Sequence, residues 1–165
     1  MKTIQVRPMT PTESMRVAPL VREVVLPLTY YSDAARAAEV AKYSAESLRD
    51  LVQDDPHSVL LAEAEGQDEP VGFCISRYDD GVIWLAWFGV SSTCRDQGVG
   101  SALLNALEDA TRARSCIKIW CDTRTENVRS QRVLERAGFG RICTLYKHWY
   151  GQDFHLWEKF LEASP

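Results

Sequence analysis

The stretch Arg95-Asp-Gln-Gly98-Val-Gly100-Ser101 follows an apolar run ending at Val90 and opens a helix-patterned segment that begins near Ala102. A strand-to-helix turn built this way is an anion cradle. The first backbone N–H groups of a helix have no intrahelical partner, and the helix dipole adds positive potential where they point. Phosphate fits there. Gly98 and Gly100 remove two Cβ atoms that would hold a pyrophosphate away from the amides, and they permit the unusual backbone angles that a nest of N–H groups needs. Arg95 adds a charged fork. Two glycines near a helix start also occur in ordinary tight turns, so the weight of this pattern comes from its context.

The chain of 165 residues fits one domain, 1–165, and a domain of this size buries roughly two thirds of its unfolded surface. A formal net charge of −4 argues against a broad nucleic-acid-binding surface, and no nucleic-acid partner is expected. No segment approaches the ~20 apolar residues of a membrane span and no basic-then-apolar leader opens the chain, so no membrane partner is expected and the cytoplasm is the expected compartment. Cys74, Cys94, Cys116, Cys121 and Cys143 are odd in number, form no C-x-x-C pair and lack zinc-ligand spacing with His57, His148 or His155. They read as reduced and structural, and no metal site is expected. Nothing in the sequence sets an oligomeric state.

Along the chain, Ile4 to Arg7 reads as a short strand, and Thr10-Pro11-Thr12-Glu13 has the N-cap, N1 proline and N3 glutamate of a capping box. Pro19 and Pro27 predict a helix kinked or broken before Tyr30 and Tyr31, followed by an alanine-rich helix from about Asp33 and further helix through Leu51. Ser58–Ala64 and Val71–Tyr78 are β-like runs, and Asp79-Asp80-Gly81 is a hairpin turn into Val82–Val90. An antiparallel meander is expected. The next helix carries Leu103, Leu104, Leu107 and Ala110 on one face, with Glu108, Asp109 and Arg112 expected towards water. Cys116–Thr123 reads as a strand, Asn127 caps a helix running to Ala137, and Gly138-Phe139 closes it. Two strands end the chain, around Arg141–Lys147 and Phe154–Phe160.

Arg95-x-x-Gly98-x-Gly100 after a strand ending in Val90, followed by Asn127 and Gly138-Phe139, resembles the GNAT superfamily of acyl-CoA-dependent N-acetyltransferases. The resemblance covers the chain from about Val71 onward. It implies an α/β (α+β) fold: a mixed, mostly antiparallel central sheet of about six to seven strands flanked by helices. The strands ending at Val90 and Thr123 would splay apart to hold CoA. Acetyl-CoA is the implied co-substrate. The amides of Gln97, Gly98, Val99, Gly100 and Ser101 would hold its pyrophosphate beside Arg95. Main-chain groups of Phe88 and Val90 would pair with the pantetheine arm, and Asn127, with Ser130 near it, would bond that arm. Asn127 also serves as a plain N-cap, and the two roles are compatible.

Acetyl transfer from a thioester to an amine needs the neutral amine, yet a lysine with pKa about 10.4 is almost wholly charged at neutral pH. A base or a dry pocket must remove that proton. Val82–Val90 contains no carboxylate, so the base that some family members carry on that strand is missing. Asp122 is the first candidate base. The run Ile119-Trp120-Cys121-Asp122 resembles that of bacterial acetyltransferases acting on ribosomal-protein N-termini, where a carboxylate at this place is the base. The same aspartate also suits a strand end capping its own loop. Glu126 is the second candidate.

Many family members carry a tyrosine seven residues after the asparagine to protonate the departing thiolate, and Leu134 stands there in this chain. A thiol with pKa about 8.5 is already a fair leaving group, so the loss need not abolish catalysis. Tyr146 and Tyr150 match the missing acid by type alone and read as packed aromatics. Trp84, Trp87, Trp120, Trp149 and Trp157 read as core more than as acceptor-pocket lining. His148 and His155 read as surface residues of the terminal strands. By the resemblance, Tyr30, Tyr31 and the helix after them cover the acceptor side. The expected activity is transfer of acetyl to a primary amine by direct attack, with peptide N-terminus, lysine and small-molecule amine all open. The alternative is a catalytically weak acyl-CoA-binding or sensing module.

Overall fold

The computed structural model describes residues 3–161. Seven strands form one sheet in the order β1-β2-β3-β4-β5-β7-β6: β1 Ile4–Pro8, β2 Val59–Ala64, β3 Gly72–Asp79, β4 Val82–Val90, β5 Lys118–Arg124, β6 Gly140–Leu145 and β7 Phe154–Phe160. Only the β4–β5 pairing is parallel, and every other neighbour is antiparallel. This is the mixed, mostly antiparallel sheet the sequence implied. No helix among the described residues is long and apolar enough to cross a membrane.

The period of two along each strand sorts side chains onto two cores. Leu60, Ala62 and Cys74 join a cluster under α4 (Val99–Ala113) and α5 (Val128–Arg136), where Leu103, Leu104, Leu107 and Leu134 are buried. Val59, Leu61, Phe73 and Ile75 point the other way, into a cluster with Val17 and Val21 of α1 (Ser14–Val25) and Leu48 and Val52 of α3 (Ala45–Asp54). Between those helices runs α2, Asp33–Lys42, capped by Ser32, whose hydroxyl accepts from the Ala35 N–H at 3.2 Å.

Several local expectations hold with their stated cause. Asp80 and Gly81 both have positive φ, 46° and 85°, the signature of the two-residue turn that matches strand twist. Gly138 takes φ 84° after α5, and the Phe139 N–H reaches the Leu134 carbonyl at 3.0 Å to close the helix end.

Other expectations need correction. The capping box at Thr10 opens a 3₁₀ turn, Pro11–Glu13, ahead of α1, and Pro19 does not interrupt α1, although the helix does end before Tyr30 as expected, short of Pro27. β5 begins at Lys118, two residues later than Cys116. Glu108 does not face water: it is 6% exposed, and its Oε1 accepts from Lys159 Nζ at 2.5 Å while Oε2 meets Arg112 at 3.3 Å. Helical periodicity alone could not see that partner, 51 residues away on β7.

Candidate active site

β4 and β5 are hydrogen-bonded in register from Val82–Lys118 to Leu85–Cys121, and no pairing follows. The break has a visible cause. Ile75 faces Trp87 while Ser76 faces Leu85, which leaves Ala86 as an extra residue in β4. A bulge of this kind bends its strand and re-aims the side chains beyond it. From there β4 turns away from β5, which stays with β7 as far as Arg124.

Two cavities open at the splay. One, about 250 Å³, lies on the α2 side, and Asp122, Trp84, Trp87 and Tyr31 are among its walls. The other, about 420 Å³, lies between the end of β4 and the start of α4, and its walls include Val90, Arg95, Gly98, Gly100 and Ser101. They share Trp87, Phe88, Asn127 and Ser130. A group bound along one cavity therefore ends where the other begins.

The second cavity has the features of an anion cradle. Gly98 is the N-cap of α4 with φ 83°, and the preceding Asp96 also has positive φ, 61°. The first intrahelical bond runs from the Ala102 N–H to the Gly98 carbonyl at 3.0 Å. The amides of Val99, Gly100 and Ser101 thus precede every intrahelical bond, and α4 starts at Val99 rather than near Ala102. Only Gly98 of the two glycines needs the left-handed conformation. Gly100 is helical, and its role is space: a Cβ there would stand 3.7 to 4.0 Å from Val133, Val90 and Phe88, side chains that line the cavity. Gln97 stands outside this lining and donates its side-chain amide to the Thr93 carbonyl at 3.2 Å. Val99 packs its side chain into the core at 1% exposure.

Asn127 caps α5, its Oδ1 accepting from the Ser130 N–H at 3.2 Å, and both residues line both cavities. In the first cavity, Asp122 Oδ2 accepts from Trp149 Nε1 at 2.7 Å and lies 3.7 Å from His148 Nε2. Burial pushes the Asp122 carboxyl above the usual carboxylate range, against the Trp149 hydrogen bond and the His148 charge that pull it down. Glu126 lies outside both cavities and is ion-paired with buried Arg124 at 2.6 Å. Arg124 also donates to the Tyr30 and Asp153 carbonyls, tying the loop before α2 to the segment before β7.

The tryptophans do not share one fate. Trp157 is core, 2% exposed, donating to Thr123 Oγ1 at 2.9 Å. Trp84, Trp87 and Trp149 line the first cavity, contrary to the core reading. Trp120 stacks edge-on against Trp84 with ring centroids 5.1 Å apart. Tyr31 faces the first cavity and Tyr30 the second. Leu134 is fully buried and lines neither cavity.

Sequence reasoning missed Glu39, and Tyr150, read there as a packed aromatic, is half exposed and lines the first cavity. Glu39 Oε2 accepts from Trp87 Nε1 and Oε1 from the Tyr150 hydroxyl, both at 2.8 Å. Burial and the Glu39 carboxylate push the Tyr150 phenol up to about 12, so it remains a donor at neutral pH. His148, Trp149 and Tyr150 sit in the turn between β6 and β7, not on a strand. Positive φ at Lys147, Tyr150 and Gly151 folds that turn, and the His148 N–H to Gln152 carbonyl bond, 2.8 Å, closes it over the cavity.

The sequence model of the acetyltransferase (GNAT) family matches residues 27–139. The chain belongs to that family of acetyltransferases. Its fold is similar to that of PaiA N-acetyltransferase from Thermoplasma acidophilum in complex with coenzyme A, with TM-score 0.81 at 17% identity over 96% of this chain and 99% of that one. It is similar to Ard1 from Thermoplasma volcanium, with TM-score 0.75 at 20% identity over 96% and 98%. The ribosomal-protein-S18-alanine N-acetyltransferase from Escherichia coli is a third, with TM-score 0.74 at 16% identity over 99% and 97%.

Proposed function

We propose that this protein transfers acetyl from acetyl-CoA to a primary amine by direct attack, with Asp122 as the base. The observation that carries the reading is the meeting of two cavities at Trp87, Phe88, Asn127 and Ser130, one with an anion cradle and the other with a half-buried carboxylate. When bound, acetyl-CoA supplies an activated acetyl thioester. The amides at the start of α4, with Arg95, suit its pyrophosphate, and the main chain of Phe88 and Val90 suits its arm. Gly100 leaves the room that approach needs.

The acceptor arrives as an ammonium. Asp122 takes one proton from it, the nitrogen then bonds the acetyl carbon, and the carbon–sulfur bond breaks with its electron pair on sulfur, which takes the nitrogen's second proton and leaves as the CoA thiol. A raised carboxyl pKa makes the proton transfer less uphill than to an ordinary aspartate. Glu126, exposed and matched to Arg124, is the weaker candidate. A peptide N-terminus, a lysine and a small amine all present the required nitrogen, and the name of the Escherichia coli neighbour favours the first as the starting point of a screen.

A sensing module is the second reading, and Leu134 favours it, because no hydroxyl stands at that point of α5. An acetyl-CoA-consumption screen across peptide N-termini, lysine peptides and small amines separates the two. Turnover above the no-enzyme rate with any class supports the enzyme, and tight acetyl-CoA binding with no turnover supports the sensor.

A further inference from the structure

Acetyl transfer to an ammonium ends in a neutral amide and a neutral thiol, so each turnover leaves one proton on Asp122. The base is spent until that proton reaches solvent. The Asp122 side chain is 12% exposed, and the turn carrying Trp149 and Tyr150 closes over its cavity. With CoA and an acceptor in place, the way out runs through the protein side of the carboxylate.

The groups around Asp122 reduce the possible carriers to one. Lys42 of α2 and Arg124 of β5 are cations with no lone pair to offer, and Glu39 of α2 has its two oxygens engaged by Trp87 and Tyr150. Burial pushes the phenols of Tyr31 and Tyr43 up, so both keep their protons, and Tyr150 is already a donor to Glu39. Trp149 donates to Oδ2 and has nothing with which to accept. His148 remains. Its Nε2 lies 3.7 Å from Asp122 Oδ2, its side chain is 33% exposed, and it stands outside the cavity wall that an acceptor meets. Its ring is held beside the carboxylate by Trp149, with centroids 4.4 Å apart, and by the edge of Phe154 at 5.9 Å.

We propose that His148 is a proton relay that acts through Asp122, carrying the amine's proton from the carboxyl group to solvent. The Asp122 O–H bond breaks as the Nε2 lone pair takes the proton, the carboxylate is restored, and the imidazolium gives its proton to water or to a buffer base. A small swing of the ring closes the 3.7 Å gap, and proton-transfer contacts are commonly long before substrates bind. Imidazole is a stronger base than a carboxylate, which favours transfer in this direction. The proposal rests on the acetyltransferase reading with Asp122 as its base, and extends it.

The test compares wild type with His148→Ala, using acetyl-CoA and the fastest amine of the consumption screen at fixed pH and ionic strength. In the variant, kcat should fall by about tenfold or more, while the amine KM stays within about twofold and calorimetry shows unchanged acetyl-CoA binding. Added imidazole should raise the variant's kcat in proportion to its concentration and leave wild type untouched, a rescue that a merely structural loss would not show. Where the alanine variant fails to fold, His148→Gln serves with the same rescue. An NMR titration of the Asp122 carboxyl carbon reads the pairing without turnover: it should move to higher pH in His148→Gln, because the imidazolium charge that favours the carboxylate is gone. Equal kcat in variant and wild type, a fall that imidazole does not restore, or an unmoved titration overturns the relay and leaves the acetyltransferase reading intact. If wild type acetylates no amine, that reading fails and the relay falls with it.

Discussion

Trp149 donates its indole N–H to Asp122 Oδ2 at 2.7 Å, the shortest contact the candidate base makes in its cavity. The bond stabilises the ionised carboxylate, while burial destabilises it and wins. The acid limb of kcat/KM should therefore lie above the ordinary aspartate value of about 3.9. Trp149→Phe removes the donor, favours the protonated acid and should move that limb to still higher pH. A limb that stays in place or falls in this variant removes the indole from the control of Asp122.

Asp122→Asn should lower kcat by ~10²–10⁴ with acetyl-CoA affinity close to wild type. Stability separates this from misfolding. A carboxyl whose folded pKa is raised binds its proton more tightly in the folded state, so its contribution falls as pH rises from the unfolded to the folded value. The neutral amide lacks that penalty. Melting at neutral pH should show the variant no less stable than wild type.

The parts of this site that were legible in the sequence are those whose cause is local. Gly98 announces its left-handed turn, Asn127 its cap, and the carboxylate-free β4 directs attention to Asp122. Glu39, Trp87 and Tyr150 come from α2, β4 and the β6–β7 turn, and only tertiary folding brings them together. The same limit hid Glu108, whose heptad-like neighbours place it towards solvent until β7 supplies Lys159. Periodicity reports which face a helix buries, and it is blind to a charge that finds its partner across the sheet.

Gly100→Val should weaken acetyl-CoA binding at least tenfold, about 1.4 kcal/mol, by placing a branched side chain among Phe88, Val90 and Val133. Those neighbours stand at ordinary contact distance from the added Cβ, so the fold should survive. Arg95→Ala should cost less. Calorimetry checks both, and unchanged affinity in folded Gly100→Val moves the cradle elsewhere.

Near the other end of the sheet, Arg7 bridges Glu13 at 2.6 Å and Glu63 at 2.7 Å. The Arg7 hydrogen bonds hold the Glu13 carboxyl down to about 2. A depressed acid contributes stability above its unfolded pKa, about 4.3, and loses it as pH falls towards the folded value. Glu13→Gln should therefore destabilise the protein at neutral pH and flatten its melting temperature between about pH 5 and pH 2. An unchanged acid profile would mean the ion pair contributes nothing.

Leu134 is fully buried, so Leu134→Tyr adds a ring to a filled core and should destabilise by about 1–3 kcal/mol. If thiolate departure is already easy, kcat should change by only a few fold. A hundredfold gain with unchanged acetyl-CoA affinity would show that leaving-group protonation limits the natural protein, and would favour the sensing module.

The most direct test of acetyl transfer at the β4–β5 splay is mass-spectrometric detection of the N-acetylated amine, paired with free CoA release, for wild type and for Asp122→Asn. The account predicts equal amounts of acetylated amine and CoA from wild type and a rate lower by ~10² or more from the variant. CoA release without acetylated amine, or equal product from both proteins, would contradict it.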